Sequence, residues 1–326
     1  MPVLLSEQDV RIVLPMAELI DAMENALARF SSNQVAQPLR TVIEVGLQKA
    51  FVGVMPAFID DPAMLGTKVV SVFGSNTAVG LPTHLATIVL LDPMTGELLA
   101  IMDGRYITEA RTAAVSAVSV KRLARKDATR LAIIGTGVQA RSHLEAVAAV
   151  RELDEITVWS RSGENRAAFA REMRPRTTAT ITLASSPRDA VDRADVVVLA
   201  TASREPVVQH DWISDGAHIC AVGACRPDQR GMDSALVARG RVFVDSRTGA
   251  LAEAGDIILP IKEGAIGEQH VAGELGEVVL GKVAGRTSRD EVTIFKSLGM
   301  AVEDVAAAHL AYVKAAERGL GRGFVL

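Results

Sequence analysis

The chain has 326 residues, more than one compact domain usually contains, so two domains are expected. Hydrophobic residues make up 49 % of the sequence and charged residues 23 %, and the formal net charge of -4 gives no electrostatic reason to expect a nucleic acid or an acidic membrane as partner. No apolar run approaches the roughly 18 residues needed to cross a bilayer. The 2 cysteines and 6 histidines lack metal-ligand spacing, so we expect a reducing, cytoplasmic setting and no metal.

The first third of the sequence predicts a helix followed by a sheet. Apolar residues recur at helical spacing from Met16 to Phe30, and Pro15 suits the first turn of this helix. Short strand-like segments follow, separated by turn signals such as Asp61-Pro62, and strands joined in this way predict a largely antiparallel sheet. A helix dense in alanine, serine and valine, about residues 106–123, is expected to join two domains.

From Arg130 onward, strand and helix patterns alternate, which predicts a Rossmann-type, doubly wound parallel sheet beside the first α+β domain. A final helix that ends near Gly319 could return the chain to the first domain. The overall fold class is therefore α/β.

A glycine turn follows the first strand of this second part. The residues Gly135-Thr136-Gly137-Val138-Gln139-Ala140 lie between an apolar strand and a helix. In such a unit the first glycine allows a tight turn, the second lets the backbone approach a pyrophosphate, and a small third residue lets helix and strand pack closely. The turn predicts dinucleotide binding, the alternative being a structural turn in a non-binding domain.

The second strand of this part ends in Trp159-Ser160-Arg161-Ser162, without the acid that usually binds the ribose of NAD. A guanidinium flanked by two hydroxyls suits a 2'-phosphate, so NADP(H) is the expected cofactor, with NAD(H) possible. The alternative interpretation of Arg161 is a surface arginine.

Three cations lie in segments of apolar or small residues: Arg40, Lys68 and Arg111. A buried cation needs an anion, and for Arg111 this could be Glu109, another protein carboxylate or a ligand carboxylate. The three together favour a carboxylate substrate, expected in the cleft between the domains.

Asp228 follows the apolar strand "HICAV", at the carboxyl edge where parallel sheets bind ligands. It could stabilise a substrate iminium or relay a proton, or it could be a simple turn aspartate. His84 is open to a structural or a catalytic interpretation.

Several long motifs resemble the ornithine cyclodeaminase/mu-crystallin family, and its ketimine reductase branch most of all: "GLPTHLATIVLLDPMTGELLAIMDGRYITEARTAAVSAV", "IGTGVQARSH", "AVGACRPDQRGMD", "VDS" and "FKSLGMAVEDVAAAHL". The resemblance runs from about Arg40 to the final helix. It implies a homodimer that pairs through a substrate-binding and dimerisation domain of residues 1–115 and 300–326, with a dinucleotide-binding domain of residues 116–299.

The resemblance also implies roles for single residues. Arg40, Lys68 and Arg111 would bind the substrate carboxylate, Asp228 would lie beside the reacting nitrogen, and His84 would lie near nicotinamide and substrate. In the mechanism expected from these residues, Lys68 could also tune the proton balance. The residues that would bind the cofactor are Gly135, Thr136, Gly137, Val138, Gln139, Ser160, Arg161, Ser162, Asn165, Thr201, Val222 and Ser297.

The activity that the resemblance implies is NAD(P)H-dependent reduction of cyclic α-imino acids, such as pyrroline-2-carboxylate or piperideine-2-carboxylate, to proline or pipecolate. Cyclodeaminases resemble "GGDCPGKTEL" where this chain has "GACRPDQRGMD", which favours a net reductase. The alternatives are an ornithine cyclodeaminase, an alanine-type dehydrogenase, or a non-catalytic NADP-binding protein. Retention of Lys68, Arg111 and Asp228 counts against the last of these.

Overall fold

The computed structural model describes residues 1–46 and 50–325. The chain forms two compact units, one of Met1–Arg111 with Met300–Leu326 and one of Thr112–Gly299. The division after Arg111 lies inside the helix Gly104–Leu123. Within the described residues, no helix is both long enough and apolar enough to span a membrane.

The elements up to the joining helix are β1 (Val3–Leu5), α1 (Glu7–Val13), α2 (Met16–Phe30), β2 (Val35–Ala36), β3 (Thr41–Val45), β4 (Ala50–Ile59), β5 (Met64–Val72), a 3-10 helix (Gly74–Val79), β6 (His84–Leu91), β7 (Leu98–Asp103) and α3 (Gly104–Leu123).

The second unit continues with β8 (Arg130–Ile134), α4 (Val138–Ala148), β9 (Glu155–Trp159), α5 (Gly163–Met173), β10 (Thr180–Leu183), α6 (Pro187–Val191), β11 (Val196–Leu199), β12 (His218–Ala221), α7 (Ser234–Arg239), β13 (Arg241–Val244), α8 (Arg247–Glu253), α9 (Gly255–Lys262), β14 (Val271–Glu274), α10 (Leu275–Val279) and β15 (Thr293–Lys296). Further 3-10 helices cover Arg174–Arg176, His210–Trp212 and Glu268–His270. The chain ends with α11 (Ala301–Glu317) and β16 (Arg322–Gly323), both in the first unit.

The first sheet has the order β16-β1-β7-β6-β5-β4-β2, and β3 pairs with β4. All of its described pairs are antiparallel except β1 with β7. Helix α11 packs on β4, β5 and β6 and against α2. Leu19, Met23 and Leu27 of α2 are fully buried, as the spacing predicted, but Pro15 is the N-cap of α2 and not part of its first turn. Its missing N–H and fixed φ fit that position equally well.

The second sheet is parallel throughout, in the order β10-β9-β8-β11-β12-β15-β13-β14. The chain moves outward from β8 in one direction through β9 and β10, and then returns to build β11 and the remaining strands on the other side. The strand order therefore reverses between β8 and β11, the point at which doubly wound sheets bind ligands. This topology confirms the predicted Rossmann-type domain and the overall α/β class.

Candidate active site

Four charged side chains are buried together in the first unit and are called here the charged cluster: Lys68 on β5, Arg111 on α3, and Glu303 and Asp304 on α11. The Nζ atom of Lys68 lies 2.5 Å from Asp304 Oδ2. Arg111 Nε donates to Asp304 Oδ1 at 3.0 Å, and Arg111 Nη1 donates to Glu303 Oε2 at 2.6 Å. None of the four residues is more than 4 % exposed. The anionic partners of Arg111 therefore include two carboxylates of α11.

The alternation of β5 explains why a lysine is buried there. Gly66, Lys68 and Val70 share one face of the strand, and that face is buried. A Cβ atom on Gly66 would lie 3.3 Å from Val305 Cγ2, so the glycine allows α11 to approach closely. Lys68 consequently points towards α11, where it meets Asp304.

In the charged cluster, burial and the charge of the ion-pair partner act in opposite directions on the pKa of Lys68 and on that of Asp304. Burial lowers the pKa of Lys68 to about 8, the charge of Asp304 opposes this shift, and the charges of Arg111 and Arg40 add to it. Burial by itself raises the pKa of Asp304, but the charges of Arg111 and Lys68 hold that pKa below its ordinary value. Two cations and two carboxylates balance one another within the charged cluster, and a further anion beside Lys68 would favour the protonated amine.

His84 is the first residue of β6 and pairs with Val72 of β5. Burial, together with the charges of Lys68 and Arg111, lowers the pKa of His84 to about 4. The imidazole is therefore neutral near pH 7 and can donate or accept a hydrogen bond there without adding charge.

The glycine turn of the second unit has the geometry that its sequence predicts. Gly135 has φ 123°, and a Cβ atom on it would lie 2.8 Å from the carbonyl oxygen of Ala200. Gly137 is the N-cap of α4 and leaves open space where a Cβ would be, while Ala140 is fully buried. The turn thus leaves the N-terminus of α4 open to an anion.

Two polar atoms near this edge of the sheet have no hydrogen-bond partner within the described chain. These are Gln139 Oε1 and Thr201 Oγ1, both buried. Thr201 packs so tightly against Gly223 that a Cβ on the glycine would lie 2.3 Å from the Thr201 backbone. Buried polar atoms without partners are uncommon in native proteins, and a ligand with hydrogen-bonding groups at this edge would satisfy both atoms. The glycine turn and these two atoms together fit a bound dinucleotide.

The register of the parallel sheet brings several of the predicted cofactor residues to one edge. Ile134 pairs with Trp159 and Leu199, and Ala221 pairs with Leu199 and Lys296. The residues that follow these strand ends therefore share the carboxyl edge, and they include Gly135, Ser160, Val222 and Ser297. Ser297 Oγ also donates to the buried carboxylate of Asp245 at 3.3 Å.

In the segment after β9, two serine side chains form hydrogen bonds within the chain, whereas Arg161 is exposed. Ser162 caps α5 and accepts from the Asn165 N–H at 3.2 Å, and Ser160 Oγ donates to the Ser162 carbonyl at 3.1 Å. Arg161 and Asn165 are exposed. Arg161 is thus an exposed cation at the end of β9, available to a phosphate.

Asp228 lies in a loop of the second unit and is half-exposed. Its Oδ2 lies 3.2 Å from Arg204 Nη2, and its Oδ1 lies 3.9 Å from Arg226 Nε. Two arginines therefore keep this carboxylate close to positive charge.

The sequence interpretation did not identify Glu303, Asp304, Lys296 or Asp256 as site residues, although all four are buried. The available signal was two adjacent acids in the alanine-rich segment "VEDVAAAHL", which is an unusual composition for a packed helix. For Lys296 the signal was a lysine that ends an apolar strand, "TIFK".

A model of the ornithine cyclodeaminase/mu-crystallin family matches residues 1–319. The chain belongs to this family. Ketimine reductase mu-crystallin of Mus musculus, a member by its name, is 41 % identical over 315 residues, covering 95 % of this chain and 96 % of that protein. The resemblance inferred from the motifs is thereby confirmed.

Two solved structures extend the comparison with the ornithine cyclodeaminase/mu-crystallin family. Thermococcus litoralis Delta(1)-pyrroline-2-carboxylate reductase in complex with NADH and L-proline is 43 % identical, with a TM-score of 0.96 and coverage of 99 % of this chain and 100 % of that chain. An archaeal alanine dehydrogenase dimer with bound NAD is 31 % identical, with a TM-score of 0.94 and coverage of 99 % of both chains.

Proposed function

We propose that the protein is an NAD(P)H-dependent reductase of cyclic α-imino acids, ketimines such as pyrroline-2-carboxylate or piperideine-2-carboxylate, and that it forms L-amino acids such as proline or pipecolate. The observation that carries the proposal is the charged cluster, because it can hold a substrate carboxylate. The second unit adds a glycine turn that fits a dinucleotide. The 43 % identical reductase was solved with NADH and L-proline, the kinds of cofactor and product that this reaction requires.

In this proposal Arg111, Lys68 and Arg40 bind the substrate carboxylate. Lys68 and Arg111 are already held by ion pairs with α11, so binding requires little further ordering of their side chains. A carboxylate fixed at several points orients the C=N carbon for hydride transfer. His84 is neutral near pH 7, so it adds no positive charge beside Lys68 and Arg111.

The nicotinamide nucleotide, when bound, supplies the hydride. Backbone N–H groups of the turn 135–139 would hold its pyrophosphate at the N-terminus of α4. Ser160, Arg161, Ser162 and Asn165 would hold the adenosine side, and Thr201, Val222 and Ser297 would make further contacts.

The imine nitrogen must be protonated for its carbon to accept a hydride readily. We assign the stabilisation of this positive nitrogen to Asp228, directly or through a water. The iminium would share or replace the pairing of Asp228 with Arg204. Lys68 would tune the proton balance, because its pKa of about 8 leaves a fraction of its amine unprotonated near pH 7.

We infer that NADPH is preferred over NADH. The support is Arg161, exposed at the end of β9 and flanked by Ser160 and Ser162. A guanidinium there pairs with a 2'-phosphate, whereas the acid typical of NAD sites is not at this position. NADH remains possible, because the two solved relatives hold NADH and NAD.

We propose a homodimer that pairs through the face of the first sheet opposite α11. On that face Val69 of β5 is 41 % exposed and Leu85 of β6 is 40 % exposed, so a second copy packed there would bury both side chains. The archaeal alanine dehydrogenase is described as a dimer. Light scattering of Val69→Glu would test this assembly, with a monomer as the expected product and an unchanged mass as the contrary result.

We also propose a reducing, cytoplasmic setting. Cys220 and Cys225 are both free. Burial raises the pKa of Cys220 to about 12, so its thiol stays protonated near pH 7.

An alanine-type dehydrogenase is the second candidate, because a 31 % identical alanine dehydrogenase shares the fold at a TM-score of 0.94. Its reaction would consume ammonia, which reduction of a preformed cyclic imine does not. An ornithine cyclodeaminase is less well supported, since the loop "GACRPDQRGMD" departs from the cyclodeaminase motif.

Nucleotide oxidation by the purified protein tests these candidates directly. NADPH would be supplied with pyrroline-2-carboxylate, with piperideine-2-carboxylate, or with pyruvate plus ammonia. Rapid oxidation with a cyclic imine alone supports the proposal, and the ratio of the two rates gives the preferred ring size. Oxidation only with pyruvate and ammonia would favour the alanine-type dehydrogenase over the reductase. Inactivity with every substrate would refute the proposed function.

A further inference from the structure

A second buried ion pair, which the proposed mechanism does not use, lies in the second unit. Lys296 ends β15 and is fully buried, and Asp256 lies in the first turn of α9 with 1 % exposure. Lys296 Nζ lies 3.0 Å from Asp256 Oδ2. A buried pair of this kind costs several kcal/mol of desolvation per ion, and well-packed apolar side chains of the same size are often as stable or more so. Stability alone therefore does not account for charged groups at these two positions.

Both members of the pair also bind the backbone of one loop, residues 224–232, called here the Asp228 loop. Lys296 Nζ donates to the carbonyl of Ala224, at the start of the loop. Asp256 Oδ1 accepts from the N–H groups of Gly231 at 2.8 Å and Met232 at 3.3 Å, at the end of the loop. One ion pair thus fixes both ends of the segment that carries Asp228.

The middle of the Asp228 loop rests on the residue before Asp256. A Cβ atom on Gly255 would lie 2.1 Å from the carbonyl oxygen of Gln229, 2.7 Å from that of Arg226 and 2.9 Å from that of Pro227. The Gly255 N–H also donates to the Arg226 carbonyl at 3.3 Å. Only glycine fits this contact, so the backbone on either side of Asp228 is seated on the N-terminus of α9.

We propose that Lys296 and Asp256 are positioning residues that hold the Asp228 loop, and thereby set turnover through Asp228. The inference rests on the proposed function, in which Asp228 acts on the substrate nitrogen. Asp228 itself is half-exposed, so its own packing does not fix it. Displacement of a catalytic group by about 1 Å can lower the rate on the order of a hundredfold. Loss of the residues that hold the loop should therefore be measurable as a fall in turnover.

The test uses the full-length protein and two independent changes to the anchor. The double variant Lys296→Met with Asp256→Asn removes both charges, so that neither is left unpaired, while retaining an oxygen for the Gly231 and Met232 N–H groups. Gly255→Ala instead pushes on the loop carbonyls. Thr293→Val is the matched control, because it removes buried hydrogen bonds at the opposite end of the same strand, at His218 and Arg286.

Two measurements separate positioning from simple destabilisation. Hydrogen exchange of the amides of Gly231 and Met232 reports the loop without any activity, and it should accelerate in both anchor variants but not in the control. Turnover with a cyclic imine should fall about ten- to a hundredfold in the anchor variants, with the Michaelis constant for NADPH within about twofold of wild type.

Unchanged exchange, unchanged turnover, or an equal loss of turnover in Thr293→Val would each overturn the inference. A wild-type protein that oxidises no nucleotide with any imine would instead refute the proposed function. That result is obtained before any variant is made, so the two failures are distinguishable.

Discussion

Asp304 Oδ2 lies 2.5 Å from Lys68 Nζ, and the other oxygen of the same carboxylate accepts from Arg111. A single buried acid therefore holds two buried cations in place. Removal of one partner from a buried pair leaves the other charge uncompensated, which is far more damaging than loss of an exposed pair.

Asp304→Asn should accordingly destabilise the protein by about 3–5 kcal/mol. Glu18→Gln breaks the more exposed pair with Lys314 in the same unit and should cost at most about 1 kcal/mol. Urea unfolding of both variants measures the difference. Equal free energies of unfolding for the two variants would show that loss of the Asp304 charge leaves no uncompensated cation in the interior.

The sequence predicted local features well and distant pairings poorly. The glycine turn was predictable because it depends on consecutive residues, 135–140. Their types, two glycines and a small third residue, directly indicate the backbone conformation. The need of Arg111 for an anion was also predictable, but its partner Asp304 lies 193 positions away. Glu109 was also a candidate on sequence alone, because only tertiary packing brings Asp304 of α11 to Arg111 of α3. The pairing of Lys296 with Asp256 was likewise not predictable, because the two residues are distant in sequence and meet only in the folded chain.

Binding of the substrate carboxylate should weaken as the pH rises through about 8. Lys68 contributes a positive charge only while protonated, and burial lowers its pKa to about 8. The measurement is inhibition by pyrrole-2-carboxylate, a planar carboxylate, between about pH 7 and 9. In Lys68→Arg the guanidinium stays charged over this range, so the decline should disappear. A decline that persists in that variant would assign the titration to another group.

Arg161→Ala should raise the Michaelis constant for NADPH about ten- to a hundredfold and leave that for NADH nearly unchanged. The reason is that a hydrogen bond to a charged phosphate contributes roughly 1.5–3 kcal/mol, and NADH has no 2'-phosphate. Arg171→Ala, an exposed arginine on α5, is the control and should alter neither constant. A retained NADPH preference in Arg161→Ala would mean that "WSRS" does not determine the cofactor.

Asp228→Asn should lower turnover with a cyclic imine by about two to three orders of magnitude, because an amide does not stabilise a developing iminium as a carboxylate does. Binding of NADPH, measured by fluorescence titration, should change far less. Arg204→Gln removes the cation that now pairs with Asp228 and should leave most of the turnover intact. Equal losses of turnover and NADPH affinity in Asp228→Asn would exclude a catalytic role for this residue.

The protein should lose stability as the pH falls below about 6.5, before most carboxylates titrate. Burial lowers the pKa of His143 to about 4 and that of His218 to about 3, and both imidazoles are engaged by serine hydroxyls in the interior, at Ser116 and Ser119. The unfolded chain binds these protons near pH 6.5 and the folded chain does not. The stabilisation is therefore present above pH 6.5 and is lost as the pH falls through the folded pKa values, about 4 for His143 and about 3 for His218. Each histidine contributes a slope of up to about 1.4 kcal/mol per pH unit.

Urea unfolding between about pH 6.5 and 5 isolates this effect from carboxylate titration. His143→Gln retains hydrogen-bonding capacity but does not titrate, so the slope of its unfolding free energy against pH should be smaller than that of wild type, whatever its absolute stability. A variant with the wild-type slope would show that His143 is already protonated in the folded protein, or that it is not buried in solution.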